Sequence, residues 1–280
     1  VAGSRLRRAI AMAGTCCIAI SNRLKNREPV AIPPAAPPAS PRYRHPEMHM
    51  KPARSCLALA AALCLAPFAA SAQDEAASPY SWNVTGVSDY VFRGVSQTDE
   101  DPTLQAGFTY TSPVGLYAGV WGSGVDFGPG DPSVELDYLI GYGIDVSDKV
   151  NFDVLLNRYT YPGASELNYN ELITTTTFAE QYKLTVAYTN DLSGSDTKSW
   201  YYAVGGEWGL PQDFTLSANV GRTTLETAYG KDYTDFNVGV SRQFGMFNLG
   251  VAYHGTDGAG RDNNGKLADN RVVLTVAIGN

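Results

Sequence analysis

The chain has 280 residues, 44% of them hydrophobic and 18% charged, with a formal net charge of −7, but these totals join two unlike parts. Residues 1–72 hold 10 of the 21 Lys and Arg, all 4 Cys and 2 of the 28 acids, so residues 73–280 carry a net charge of −15 and no Cys. That second part is long enough for one sizeable domain, offers no thiol for a disulfide or metal site, and is too acidic for nucleic acid to be its main partner, since neutralising phosphates takes clustered Lys and Arg.

In chain order, residues 1–47 begin with Val and include seven Pro between Pro29 and Pro46, a composition that cannot form a packed core. The expectation is an upstream extension from a start site placed too early, with Met48 or Met50 the true beginning. The alternative is a real N-terminal extension, because Arg5, Arg7 and Arg8 precede an apolar stretch from Ala9 to Ile20 that itself resembles a short signal. Residues 48–72 read as a secretory signal peptide: Lys51 and Arg54 precede the apolar run Leu57 to Ala66, and Ala70-Ser71-Ala72 supplies small residues for cleavage between Ala72 and Gln73. Cys64 follows Leu63, where a lipidated signal needs a small residue.

From Tyr80 onward, apolar and polar residues alternate with period two, interrupted every ten to twelve residues by turn-forming clusters. Trp82, Val84, Tyr90 and Phe92 share one phase against Asn83, Thr85, Asp89 and Arg93. The same phase recurs from Leu104 to Tyr110, from Val134 to Ile144, from Tyr182 to Tyr188 and from Trp200 to Trp208. Phe214 to Val220, Phe247 to Tyr253 and Val272 to Ile278 repeat it, and weaker segments occupy 116–127, 150–161, 169–180 and 233–243. The sum is twelve strands.

Long polar connections are expected at 94–102, 128–133, 162–168, 190–198, 224–232 and 256–270. Short turns fall between them at Ser112–Gly115, Val146–Lys149, Ala179–Gln181, Pro211–Asp213 and Phe244–Met246. Alternating long and short joints are the arrangement of an outer-membrane barrel with both chain ends in the periplasm; a soluble sandwich has no reason to alternate. The prolines after residue 73 all fall before the first strand or in joints, where no ladder hydrogen bond is lost. Tyr80, Trp82, Tyr90, Phe92, Tyr110, Tyr117, Trp200, Trp208, Phe214, Phe247 and Tyr253 are expected near strand ends, as interfacial girdles. The predicted fold is an all-β, transmembrane, antiparallel up-and-down barrel of about twelve strands covering residues 73–280.

The block Ser88-Asp89-Tyr90-Val91-Phe92-Arg93-Gly94-Val95-Ser96-Gln97-Thr98, continued through Asp99 to Phe108, resembles the opening of the TorF porin family, also catalogued as Gcw_chp proteins of unknown function. Gly115 to Phe127, and Glu135-Leu136-Asp137-Tyr138 before Gly141-Tyr142, are similar to that family's next two blocks. The resemblance implies a Gram-negative outer-membrane barrel and a diffusion channel, with no established substrate. Two departures stand out: Gly124 where Asn is expected, and a chain ending Ala277-Ile278-Gly279-Asn280 where many such barrels end in an aromatic residue.

With the apolar phase facing lipid, the opposite phase directs Asp89, Asp126, Glu135, Asp137, Asp145, Asp153, Glu171, Glu207 and Asp235 inward, together with Arg93, Lys183 and Arg271. Nine acids against three bases in a confined space predict a cation-preferring, pore-lining face. The alternative is that these charges pair with one another and plug the barrel, because twelve strands lie between the filled eight-strand and open sixteen-strand cases. Gln97 to Asp101 brings three acids to the outer mouth, either a divalent-cation site or a solvated loop. His254 is the one His of the mature part and has no Ser motif beside it, so no catalytic residues are assigned. Residues 257–265 resemble a calcium loop only superficially, and turn chemistry accounts for them better.

The reading is a monomeric porin, partnered by outer-membrane lipid, passing small hydrophilic and preferentially cationic solutes, with no cofactor and no metal. A closed structural or adhesive barrel acting through its external loops is the alternative, and an outer-membrane lipid hydrolase using His254 is a third.

Overall fold

The computed structural model describes residues 78–128 and 131–280; the expected signal peptide, the expected cleavage between Ala72 and Gln73 and the expected upstream extension fall outside the described residues. Alternation of small, branched and aromatic residues suits a pleated surface, and fourteen strands form: β1 Tyr80–Val87, β2 Val91–Phe92, β3 Val95–Ser96, β4 Thr103–Thr111, β5 Leu116–Gly124, β6 Val134–Ser147 and β7 Val150–Thr160. They continue as β8 Tyr169–Phe178, β9 Tyr182–Thr189, β10 Ser199–Leu210, β11 Phe214–Leu225, β12 Tyr233–Phe244, β13 Phe247–Thr256 and β14 Arg271–Gly279. All but β2 and β3 form one closed antiparallel barrel of twelve strands in sequence order, with β1 pairing to both β4 and β14. The ring leaves no strand edge open, which is what a β structure in hydrocarbon requires.

The seam between β1 and β14 runs from Asn83 opposite Gly279 to Val87 opposite Thr275. The C-terminal residue extends it: the Trp82 amide donates to Asn280 Oδ1 at 2.8 Å, and the Asn280 amide donates to the Trp82 carbonyl at 3.2 Å. An amide side chain thus takes the last ladder position. Gly124 also has a local reason, since a Cβ there would collide with the Thr103 hydroxyl, which donates to the Gly124 carbonyl at 3.2 Å.

The apolar phase faces outward and is exposed: Leu104 is 70% accessible, Val272 59% and Val204 54%, and Tyr80, Trp82, Tyr110, Trp200, Phe247 and Tyr253 share that surface. This inside-out sorting is that of a transmembrane barrel. Long and short joints alternate as the spacing predicts, with the long connections at one end and the tight turns at the other. The last long connection is partly helical. Asp257 caps α1 (Gly258–Asn264) by accepting the Gly260 amide at 2.9 Å, and Gly265 ends it at φ 60°. Cap and turn chemistry accounts for the Asp and Gly spacing there.

The first strand differs from expectation. β1 stops at Val87, where the Ser88 amide donates to the Leu274 carbonyl and the Leu274 amide to Ser88 Oγ, finishing the seam. The chain then turns into the lumen. Tyr90 and Phe92, expected on the lipid face, are 3% and 1% exposed and belong to the interior core. Tyr117 also faces inward, donating its hydroxyl to Asp153 at 3.0 Å. The alternating pattern survives in residues 89–96 because the hairpin they form has one face toward the core; periodicity reports a sheet face, not which sheet.

Candidate functional site

The interior is built from two sources, the inward phase of the wall and the hairpin β2–β3. The hairpin has a two-residue tip, Arg93-Gly94, with φ of 44° and 79°. A turn of this kind needs positive φ at both positions, matches the strand twist and favours Gly at the second. Here Gly is required for space as well: a Cβ on Gly94 would lie 2.5 Å from Thr256 Cγ2 and 2.9 Å from Asp235 Cβ.

Asp89 fixes the base of the hairpin. Its Oδ1 accepts from Ser96 Oγ at 2.6 Å and Thr98 Oγ1 at 3.0 Å, while Oδ2 takes Nη1 of Arg271, on β14, at 2.7 Å. Arg93 fixes the tip. Its Nη2 donates to both carboxylate oxygens of Glu171, on β8, at 2.9 Å, and both side chains are nearly sealed, at 2% and 1% exposure. The guanidinium also lies 4.2 Å from the Tyr201 ring centroid and 4.6 Å from that of Phe92. Charge-assisted hydrogen bonds and cation–π contacts are at their strongest when desolvated in this way.

Around the hairpin, the half of the lumen at the long-loop end is filled. Tyr90, Phe92, Val95, Trp121, Val125, Tyr159, Tyr161, Tyr169, Leu192 and Tyr233 form one buried cluster. Tyr90 meets Trp121 edge-on at 5.6 Å, and Tyr159 lies 4.4 Å from Tyr169. The carboxylates that enter this core are held mostly by phenolic hydroxyls. Glu135 accepts from Tyr90 at 3.2 Å and Tyr161 at 2.9 Å, Glu171 from Tyr159 at 3.0 Å, and Asp235 from Tyr201 at 3.2 Å, while Asp137 accepts from Asn157 Nδ2 at 2.9 Å. Several polar atoms in the same region have no hydrogen-bond partner among the described residues, among them Nε of Arg93, whose N–H donates to nothing, and Oδ2 of Asp235, which accepts from nothing.

A second buried cluster, Leu155, Ile173, Ala187, Tyr201 and Ala203, lines the inner face of β7 to β10, with Tyr117 and Leu139 packed against it. Tyr117 and Tyr201 reach across where Gly141 and Gly221 leave room, and a Cβ on either glycine would overlap the phenol. Toward the short-turn end the inner face becomes polar and more accessible, with Lys183 paired to Glu207 at 2.7 Å and Asn219 Nδ2 donating to the Tyr201 hydroxyl at 3.4 Å.

The twelve residues expected to line a pore therefore divide. Glu135, Asp137, Asp145, Asp153, Glu171, Lys183, Glu207, Asp235 and Arg271 lie in wall strands on the inward phase. Glu135, Asp137, Asp153, Glu171 and Asp235 are buried among partners, whereas Asp145 and Glu207 are exposed near the short-turn end. Asp89 and Arg93 come from the hairpin, not from the wall. Asp126 is exposed beyond the end of β5, on the parity of that strand's outward residues, with its carboxylate accepting the Gly128 amide at 3.0 Å, so it does not belong to the inward phase. The three acids at Asp99–Asp101 are partly committed as well: Asp99 pairs with Lys266 at 2.7 Å, raising that ammonium above its ordinary value, and Glu100 lies 3.8 Å from Arg271. His254 projects inward opposite Arg271 and Asn237 and makes no hydrogen bond among the described residues. Sequence reasoning missed the tyrosines as carboxylate partners and the inward Leu155 and Ile173; the adjacent apolar pairs Leu155-Leu156 and Leu172-Ile173 are the signal that both faces there are apolar.

Among solved structures, the chain is similar to the KdgM porin (8% identity, TM-score 0.47, covering 71% of this chain and 97% of that one) and to the NanC porin (12%, 0.49, 71% and 97%). It is also similar to LpxR from Salmonella typhimurium (8%, 0.43, 71% and 99%). No curated protein matches it. The family model described as bacterial protein of unknown function (Gcw_chp) matches residues 73–277, and the chain belongs to that family.

Proposed function

We propose that this protein is an outer-membrane porin of the kind its resemblance to the TorF family implies, exported through a cleaved signal peptide and passing small hydrophilic solutes. In this reading, the hairpin of residues 89–98 closes its outer end. The observation that carries the reading is the sorting of side chains by face: apolar and exposed outside, polar or charged along much of the inside of a closed ring. Wall strands carry seven acids and two bases on the inward phase, an excess that attracts cations. Conduction requires the hairpin to leave the lumen. The unfilled polar atoms at Arg93 and Asp235 favour a hairpin that can leave, since each orphan costs the closed state about 1–3 kcal/mol.

The test is a planar-bilayer recording of refolded residues 73–280. Discrete steps with a cation-biased reversal potential support the reading, and that bias should shrink in the variant Asp145→Asn, Asp153→Asn, Glu207→Gln. A barrel that stays silent even without the hairpin overturns it. The packed aromatic core favours the second reading, a closed barrel acting through its external loops, and such silence is what that reading expects.

A further inference from the structure

The charges of the wall strands sort by face more sharply than composition requires. In a mature part with net charge −15, the outward phase of the twelve strands, among the described residues, carries three charged side chains, and all are arginine: Arg158, Arg222 and Arg242. Arg242 lies at the short-turn end, where its guanidinium sits 5.0 Å and 4.7 Å from the Phe214 and Phe244 ring centroids. The other two lie toward the long-loop end, two and three residues from the ends of β7 and β11. Arg222 is 47% exposed and has company, Thr234 Oγ1 at 3.1 Å and Asp232 and Asp257 each at 3.7 Å.

Arg158 has none. It is half-buried on the lipid-facing side, opposite Tyr138 on β6 and Asn170 on β8, and its guanidinium makes no hydrogen bond, ion pair or ring contact among the described residues. A guanidinium presents five donors and keeps its charge. On a face whose surroundings are hydrocarbon and headgroups, those donors must be met from outside the chain, at the level of the leaflet's polar layer.

We propose that Arg158 is the centre of a binding site for the phosphate of a lipid headgroup in the leaflet at the long-loop end, with Arg222 holding a second, weaker position four strands away. A planar donor fork matches a phosphate's oxygens, and the Asn170 amide beside it adds donors of the same kind. The arc from β12 through β14 and β1 to β6 has no charged outward side chain toward that end, so bound lipid is confined to one side of the barrel. The proposal does not depend on whether the lumen conducts.

The experiment titrates refolded residues 73–280 in dodecyl maltoside with phosphatidic acid, phosphatidylcholine or inorganic phosphate, counting bound lipid by native mass spectrometry. Phosphatidic acid should bind in preference to phosphatidylcholine, and Arg158→Gln should weaken it about tenfold, the equivalent of one charge-assisted contact. Arg158→Lys should keep part of the affinity, and Arg222→Gln should cost less than Arg158→Gln. If the Gln variant does not refold, Arg158→Met, apolar and suited to the lipid face, is read in its place. Unchanged binding in the variant overturns the proposal, and so does inorganic phosphate competing at equal concentration, which would indicate a free-anion site. Lumenal conductance should be the same in Arg158→Gln as in the parent, so this result and the porin reading fail separately.

Discussion

A guanidinium with 2% of its side chain exposed, in a space walled by aromatic rings, is stable only while its counter-charge is in place. Removing Glu171 leaves the Arg93 charge buried without its carboxylate, and Glu171→Gln should destabilise the closed hairpin by about 3–5 kcal/mol. It should be read as a gain in open-channel time and as protection lost in hydrogen exchange at Val91–Ser96. Replacing both partners, Arg93→Met with Glu171→Leu, should cost less than the sum of the single changes, because the double variant strands no charge; strict additivity in that cycle would mean the two side chains do not act as a pair. Gly94 makes a separate demand on the same tip. Gly94→Ala meets both a positive φ and the Thr256 methyl, so it should loosen the hairpin by about 1–3 kcal/mol. The barrel itself should keep its heat-modifiable mobility on gels.

At the scale of elements, the wall and the hairpin make different kinds of contact. The wall is held by a continuous ladder around the ring, the hairpin mostly by side chains, Asp89 to Arg271, Arg93 to Glu171, and the rings around Tyr90 and Phe92, with a backbone bond from Asp126 to Gln97. Replacing residues 89–98 by a short Gly-Ser link should therefore leave the barrel folded while raising its conductance and lengthening its open events. A deleted variant that no longer refolds would make the hairpin part of the barrel's core and not a closure. The wall was readable from sequence because lipid imposes a strict two-residue period that nothing inside the barrel disturbs. The hairpin was not, because Tyr90 and Phe92 continue the phase of Trp82 and Val84, and only the Ser88-Asp89 break separates two different sheets. Likewise Asp126 has the parity of the exposed Leu116, Ala118 and Val120, not of the inward Trp121 and Ser123, and it lies beyond the end of β5, so the blurred alternation of 116–127 misplaced it.

For the whole molecule, interior charge is a matter of pairing as much as of count. Arg93, Arg271 and Lys183 are each spoken for, and most buried carboxylates accept from Tyr or Asn, so much of the acidity read from composition is held in neutralised or hydrogen-bonded form. Reversal potential should accordingly depend more on Asp145, exposed near the short-turn mouth, than on Glu135, which is 0% exposed. Single neutralisation of each, recorded in the hairpin-deleted background, checks that order.

The seam has a bearing on how the molecule comes to exist. Asn280 pairs with Trp82, and Asp89 with Arg271, across 198 and 182 residues of chain. Neither contact is available until β14 has been made, so the hairpin can dock its tip on Glu171 of β8 earlier but seats its base only when β14 arrives. Ring closure and lumen filling thus become late and mutually dependent steps of a slow, high-contact-order assembly. Deleting residues 271–280, which removes both the seam and Arg271, should trap the chain short of both, as a species that is neither compact on gels nor protected at the base of the hairpin.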